Sequence, residues 1–298
     1  MTLTATRFAT KTRTWLLIAG LTGLLLAIGA AIGGGFLYAF AALAVLMNAA
    51  GYWFSDKIAL KASRARPLER SEAPGLARML DELAGRAGVP TPRLYLIPSE
   101  QPNAFATGRN PAHAAVAVTE GLLAHLPEEQ VRGVLAHEFA HIKNRDILVS
   151  TIAAMVAGAI SAIANLLQLS FLFGGADEED SPLGLIGALA TIVFAPLAAM
   201  LLQLGVSRQR EYLADATGAQ ILGDETPLAD ALATLERGTR LAPMQVNPAT
   251  ASLYIANPLP RMGLATLFMT HPPTAERIRR LRALDVRATR LTVPQAAR

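Results

Sequence analysis

The sequence predicts a mostly helical, α+β integral membrane protein, with about four transmembrane helices carrying a polar domain that holds a small β-sheet. Three observations lead there: long uncharged stretches fall in two pairs, basic residues gather on one side of them, and short strand-like segments alternate with amphipathic helices in the polar parts. Composition agrees. Of 298 residues, 52% are hydrophobic and 17% charged, against roughly 25% charged in an average soluble domain. Such a chain is too apolar to be disordered. Cysteine is absent, which excludes disulfides, a thiol nucleophile and cysteine-ligated metal sites. A metal would need Asp, Glu or one of five histidines: His113, His125, His137, His141 and His271.

No charged residue lies between Thr14 and Ser55. A bilayer crossing takes about 20 residues, so this stretch holds two, and Gly33, Gly34 and Gly35 supply the turn. Trp15–Ile32 and Phe36–Phe54 are therefore expected as a helical hairpin. A cleaved signal peptide is the rival, because Arg7, Lys11 and Arg13 precede the apolar run, but its core would span only about 7–15 residues. Ile147–Ala176 and Ser181–Ser207 form a second uncharged pair, divided by Asp177, Glu178, Glu179 and Asp180. This pair contains Ser150, Thr151, Asn165, Gln168 and Gln203, so buried helices of a soluble core are its alternative.

Loop charges give the topology. Basic clusters lie before the first span, after the second (Lys57, Lys61, Arg64, Arg66, Arg70), before the third (Lys143, Arg145) and after the fourth (Arg208, Arg210). The other two loops carry no charge or only acids. The positive-inside rule then puts both termini in the cytoplasm of a multi-pass membrane protein. Four parts follow: an N-terminal hairpin over 1–55, a first polar part over 56–146, a second hairpin over 147–207 and a second polar part over 208–298.

Within the polar parts, Leu76, Met79, Leu80 and Leu83 give Ala73–Ala87 a helical period, stopped by Gly88 and Pro90. Arg93–Ile97, Asn103–Gly108 and Ala114–Thr119 read as strands, the last two divided by Asn110 and Pro111. Glu128–Asn144 is a helix opened by Pro127. Glu211–Leu222, Pro227–Arg240 and Thr274–Leu284 are further helices, while Ala242–Met269 has no clear pattern.

The helix over 128–144 contains His137-Glu138-Phe139-Ala140-His141. Residues i and i+4 share a helix face, so both imidazoles can reach one ion. Glu138 can then touch a water on the same ion and take its proton as the water attacks a carbonyl. Zinc suits such nitrogen ligands and tolerates an open position. A third ligand is needed from another helix. Glu211 is a candidate, with Asp215 four residues on and suited to orienting a ligand histidine, but spacing alone does not prefer it over Glu120 or Asp146.

The HEFAH helix, the NAFATG segment at 103–108, the REYLAD segment at 210–215 and the THPPTAERI segment at 270–278, in this order among four apolar spans, resemble the HtpX family of membrane zinc metalloproteases, part of a wider Ste24/HtpX group. The resemblance covers essentially the whole chain. It implies a cytoplasmic zincin-like metalloprotease domain holding one Zn2+, with His137, His141 and Glu211 as ligands and Glu138 as general base. It further implies His271 as the donor to the developing oxyanion, Asp215 and Arg277 as supports, and Asn103, Ala104, Phe105 and Ala106 as the strand that pairs with substrate. The implied activity is zinc-dependent endopeptidase action on membrane or misfolded proteins at the bacterial cytoplasmic membrane, a quality-control role, with the lipid bilayer as partner and self-association left open.

Plainer readings stand beside these. His271 can cap a helix ahead of two prolines, Phe105 can be ordinary core, and Arg277, Arg279 and Arg280 can be a basic face toward lipid headgroups. A transporter would need functional charges inside the spans, and there are none. A non-catalytic scaffold with structural zinc would need a fourth protein ligand. A CAAX-type prenyl protein processor would have more spans. Nucleic acid is not an expected partner, because the basic residues follow topology rather than forming a patch with aromatics.

Overall fold

The structure is a computed structural model, and it describes residues 19–20, 22–23, 25–26, 30, 35–154, 208–241, 244, 246, 248–258, 272–284 and 286. The span expected over Trp15–Ile32 therefore lies largely outside the described residues, as do the second hairpin beyond residue 154, the segment 259–271 and His271.

Helix α1 covers Phe36–Ala62. It continues through Asp56 and Lys57, past the end expected at Phe54, because Arg93 on the first long strand meets Asp56 at 2.5 Å and gives that charge a partner. The helix closes where the Ser63 N–H donates to the Ala59 carbonyl and Arg64 turns to φ 54. Among the described residues, Leu37–Ala62 is the one helix long and apolar enough to cross a membrane. One face of it points away from the protein, Tyr38 being 79% and Trp53 55% exposed, while Leu60 is buried and Phe40 and Met47 pack inward.

The polar domain starts with the two-residue strand β1 (Arg66–Pro67) and helix α2 (Pro74–Ala87), which ends on Gly88 in the left-handed region at φ 70. Strands β2 (Arg93–Ile97), β3 (Ala104–Thr107) and β4 (Ala115–Thr119) fall where the sequence predicts them, within one or two residues at each end. The sheet order is β1-β2-β4-β3, with β2 and β4 parallel and the other pairs antiparallel. The central β4 is buried on both faces, so it reads as an unbroken apolar run. Its Val116 and Val118 enter the main core with α2 and with Leu135 and Phe139. Ala115 and Ala117 face the other way, into a second core with Phe105, Tyr254 and the end of α1.

Helix α3 (Glu120–His125), capped by the Thr119 hydroxyl, links β4 to α4 (Glu128–Asn144). Glu128 and Glu129 sit in the first turn of α4, where carboxylates favour the helix dipole. Helices α5 (Arg208–Leu222) and α6 (Thr226–Leu241) pack against α4, followed by the short α7 (Pro248–Ala251) and by α8 (Thr274–Arg282). Two glycines permit this packing. A Cβ on Gly133 of α4 would lie 2.6 Å from Pro227, and one on Gly218 of α5 would lie 3.1 Å from the His137 backbone nitrogen. Any larger residue at 218 would push α5, and the carboxylates it carries, away from the HEFAH turn.

Candidate metal centre

The middle of α4 is enclosed by α5, α6, α2 and β3, so His137 and Glu138 are buried although both are polar. His137 and His141 meet one turn apart, with their Nε2 atoms 3.0 Å from each other. On α5 the same period brings Glu211 and Asp215 to one face, both buried. Glu211 reaches across to the histidines: one oxygen lies 3.8 Å from His137 Nε2 and the other 3.6 Å from His141 Nε2. All three residues offer a ligand atom within 4.8 Å of the others.

The other ring nitrogens have partners that fix the tautomers. His137 Nδ1 lies 3.0 Å from Asp215, and His141 Nδ1 lies 3.1 Å from Asp146. A carboxylate takes the proton-bearing nitrogen, which leaves each Nε2 with its lone pair. Two such lone pairs facing each other at 3.0 Å beside a carboxylate repel, unless positive charge lies among them. Electrostatics agree. Burial alone would lower His141, yet Asp146 and Glu211 lift it to about 10, so this corner of the protein favours a cation. Burial lowers His137 to about 4, against the pull of Asp215. The donor set therefore fits a bound metal ion.

Asp146 reaches His141 because of how α4 ends. Arg145 adopts φ 62, and the Asp146 N–H then donates to the His141 carbonyl at 3.2 Å. The Asp146 carbonyl accepts from Ser150 at 3.1 Å and starts the helix over 147–154. Asp146, one of the acids that spacing leaves open as a third ligand, does not join the cluster of His137, His141 and Glu211. It instead backs a ligand, and the sequence cue is an acid just beyond the helix stop after the second histidine.

Arg277, on α8, is only 2% exposed. Its Nε and Nη2 donate to the two Asp215 oxygens at 2.9 and 2.7 Å, and Nη2 lies 3.4 Å from both ring nitrogens of His137. Burial works against a carboxylate at Asp215, but Arg277 and His137 outweigh it and hold the group down at about 2. The plain reading of a lipid-facing basic stripe fails for Arg277, whereas Arg279, Arg280 and Arg282 are exposed.

Glu138 faces the same cavity as His137, His141 and Glu211. Burial pushes its carboxyl up to about 7, aided by Glu211 and opposed by His141 and by the Ala106 amide, which hydrogen-bonds to it. A carboxylate in that range can both accept and return a proton near neutral pH. The space left in the cavity is about 20 Å³, room for one water. Its walls include Ala106 and, from the stretch the sequence left unplaced, Ser252, Leu253, Tyr254 and Ile255.

The strand residues divide. Ala106 borders the cavity, while Phe105 is fully buried on the opposite face of the sheet, its ring 5.0 Å from that of Tyr254 at 71°. Phe105 is core. Asn103 is also fully buried, its side chain held within the protein. His113 and His125 lie on the surface away from the site, and Glu120 does not join it.

Comparison with known proteins gives a consistent picture. The family model for peptidase family M48 matches residues 70–285. A protease HtpX homolog from Persephonella marina is 55% identical over 275 residues, covering 90% of this chain and 95% of that protein. One from Pelotomaculum thermopropionicum is 52% identical over 278 residues, covering 92% and 99%. In fold, the chain resembles the crystal structure of Saccharomyces mikatae Ste24p with a TM-score of 0.52 at 22% identity, over 94% of this chain. It spans 66% of the Ste24p chain. A helix-borne histidine pair joined by a glutamate from a distant helix, in a sequence matched from residue 70 to 285, makes this chain a member of peptidase family M48.

Proposed function

We propose that the chain is a zinc-dependent endopeptidase of the cytoplasmic membrane, cutting membrane or misfolded proteins as part of membrane protein quality control. The observation that carries this reading is the convergence of His137, His141 and Glu211 beside Glu138 in one buried cavity. His137, His141 and Glu211 would hold the ion. Two imidazoles and a carboxylate suit zinc, and three protein ligands leave a position open, as a catalytic rather than a structural site requires. When bound, the ion lowers the pKa of a water and polarises the scissile carbonyl.

The remaining chemistry belongs to the chain. Glu138 accepts the proton of the attacking water and returns it to the leaving amine. Its burial keeps its basicity near neutral, and the Ala106 amide holds its carboxylate in place. Asp215 and Asp146 fix the two imidazoles with Nε2 toward the ion, and Arg277 keeps Asp215 ionised. The cavity has room for about one water beside Glu138. The family resemblance gives His271 the task of donating to the developing oxyanion, an interaction elsewhere worth about 2.7–4 kcal/mol.

Membrane attachment is supported by α1, one face of which leaves Tyr38, Val45, Leu46, Trp53 and Phe54 half or more exposed while Ala44 and Met47 pack inward. Tyr52, Trp53 and Lys57 mark the level at which aromatic and basic residues meet headgroups. Asp56 then ties that level to β2 through Arg93. We read 1–55 and 147–207 as membrane hairpins, with 56–146 and 208–298 folding together on the cytoplasmic side. Glu138→Gln tests the core of the reading: purified protein should keep its zinc and lose peptide cleavage, and undiminished cleavage would remove Glu138 from the role of base.

A further inference from the structure

Residues 252–255 line the metal cavity, and the backbone of Ile255 and Ala256 is held beside the outer edge of β3 by Asn103, Ala104 and Arg277. The Thr119 N–H donates to the Asn103 carbonyl at 3.0 Å, so the ladder bonds to β4 fall on Asn103 and Phe105, and Ala104 and Ala106 turn their backbone groups outward. The outward carbonyl of Ala104 accepts the Ile255 N–H at 3.0 Å. The Asn103 amide closes on Ala256 from both sides, with Nδ2 donating to its carbonyl at 2.7 Å and Oδ1 accepting its N–H at 3.3 Å. Arg277 Nη1 donates to the Ile255 carbonyl at 3.0 Å. Two adjacent residues thus take four hydrogen bonds, one of them main chain to main chain on the outward edge of β3, the edge to which an extended peptide can add, and three from the Asn103 and Arg277 side chains.

The cavity beside the metal-binding side chains has about 20 Å³ free. That admits a water and no peptide, so cleavage requires part of the wall to move. Tyr254 is fully buried against Phe105 and roots the segment, whereas Ala256 and Asn257 are only half-buried. An incoming backbone can replace each of the four bonds with one of the same kind, so the exchange is close to neutral in hydrogen bonding.

We propose that Ile255 and Ala256 form an internal pseudosubstrate: they occupy the substrate's place on Asn103, Ala104 and Arg277, and an extended peptide must displace them to reach the metal centre. This rests on the peptidase reading above. The substrate class is then set by the exchange. A chain able to lie extended, with free backbone N–H and C=O groups, competes; a folded or helical segment does not.

The test uses the full-length, zinc-loaded protein in detergent. Ala256→Pro removes the N–H that Asn103 accepts and leaves every substrate-facing group intact. It should raise kcat/KM for a fluorogenic, uncharged decapeptide about three- to tenfold, the effect of losing one hydrogen bond that competes with substrate. An unchanged or lower kcat/KM, in protein with parental circular dichroism and zinc content, overturns the proposal. Should Ala256→Pro fail to fold, amide hydrogen exchange of Glu138→Gln decides, read with and without the unlabelled decapeptide at a concentration that protects the peptide's own amides. Loss of protection at Ile255 and Ala256 on peptide binding supports displacement, and unchanged protection refutes it. Cleavage of the decapeptide by Glu138→Gln would count against Glu138 as base and is read separately, from the mass of the peptide.

Discussion

The guanidinium of Arg277 grips Asp215 through two hydrogen bonds, at 2.9 and 2.7 Å, while the same carboxylate holds His137 Nδ1 at 3.0 Å. A charge from α8 thereby fixes the orientation of a histidine on α4. Asp215→Asn takes from the buried Arg277 the carboxylate it hydrogen-bonds and leaves it only Glu211, 3.8 Å away, which costs up to about 3–5 kcal/mol of stability. It should also weaken zinc binding roughly 10- to 100-fold. Urea unfolding and competition with a chromogenic chelator measure the two effects. Linkage adds a pH signature. A carboxyl held at about 2 against an ordinary 3.8 stabilises the fold fully above 3.8, and that share is lost as pH falls from there through about 2. Parent stability should drop more steeply than that of Asp215→Asn across this window.

Asp146 does for His141 what Asp215 does for His137, but from the turn that leaves α4. Asp146→Ala should keep the fold and reduce zinc affinity about 10- to 100-fold. Equal affinity in the variant would show that the contact does not orient the ring.

Zinc binding should strengthen with pH. Without the ion, His141 is raised to about 10 and carries a proton throughout the neutral range, whereas His137, lowered to about 4, does not. Binding at His141 Nε2 displaces that proton. Apparent affinity should therefore rise by about tenfold per pH unit between roughly pH 7.5 and 9 and level off above about 10. Chelator competition in a pH series checks the slope, and a flat series would contradict the assignment of His141.

Gly218 controls how closely α5 approaches α4. Gly218→Ala puts a methyl 3.1 Å from the His137 backbone nitrogen. It should destabilise the protein by about 1–3 kcal/mol and lower zinc affinity by moving Glu211 outward. Zinc affinity unchanged alongside lost stability would mean that Glu211 follows the ion rather than the helix.

Local pattern carried much of this architecture. The HEFAH turn was legible because the helix period alone puts His137 and His141 on one face, and β2, β3 and β4 because turn residues bound their short runs. Glu211 needed the family resemblance, since spacing cannot relate positions on two distant helices. Arg277 looks like Arg279 and Arg280 in sequence; what separates it is that it shares a buried face with Leu281, four residues on. Asp146 stands just past the end of α4, a position the sequence shows, but its reach back to His141 depends on the left-handed turn at Arg145. Residues 252–257 had no periodicity to read, because long-range bonds to Asn103, Ala104 and Arg277 place them.

Metal content measured together with peptide cleavage, on full-length protein purified in detergent, tests the central claim most directly. One zinc per chain is expected, with cleavage abolished by a chelator and restored by added zinc, and with both zinc and cleavage lost in Glu211→Gln. Full cleavage by protein stripped of metal, or stoichiometric zinc retained at unchanged affinity in Glu211→Gln, would contradict a site built from His137, His141 and Glu211.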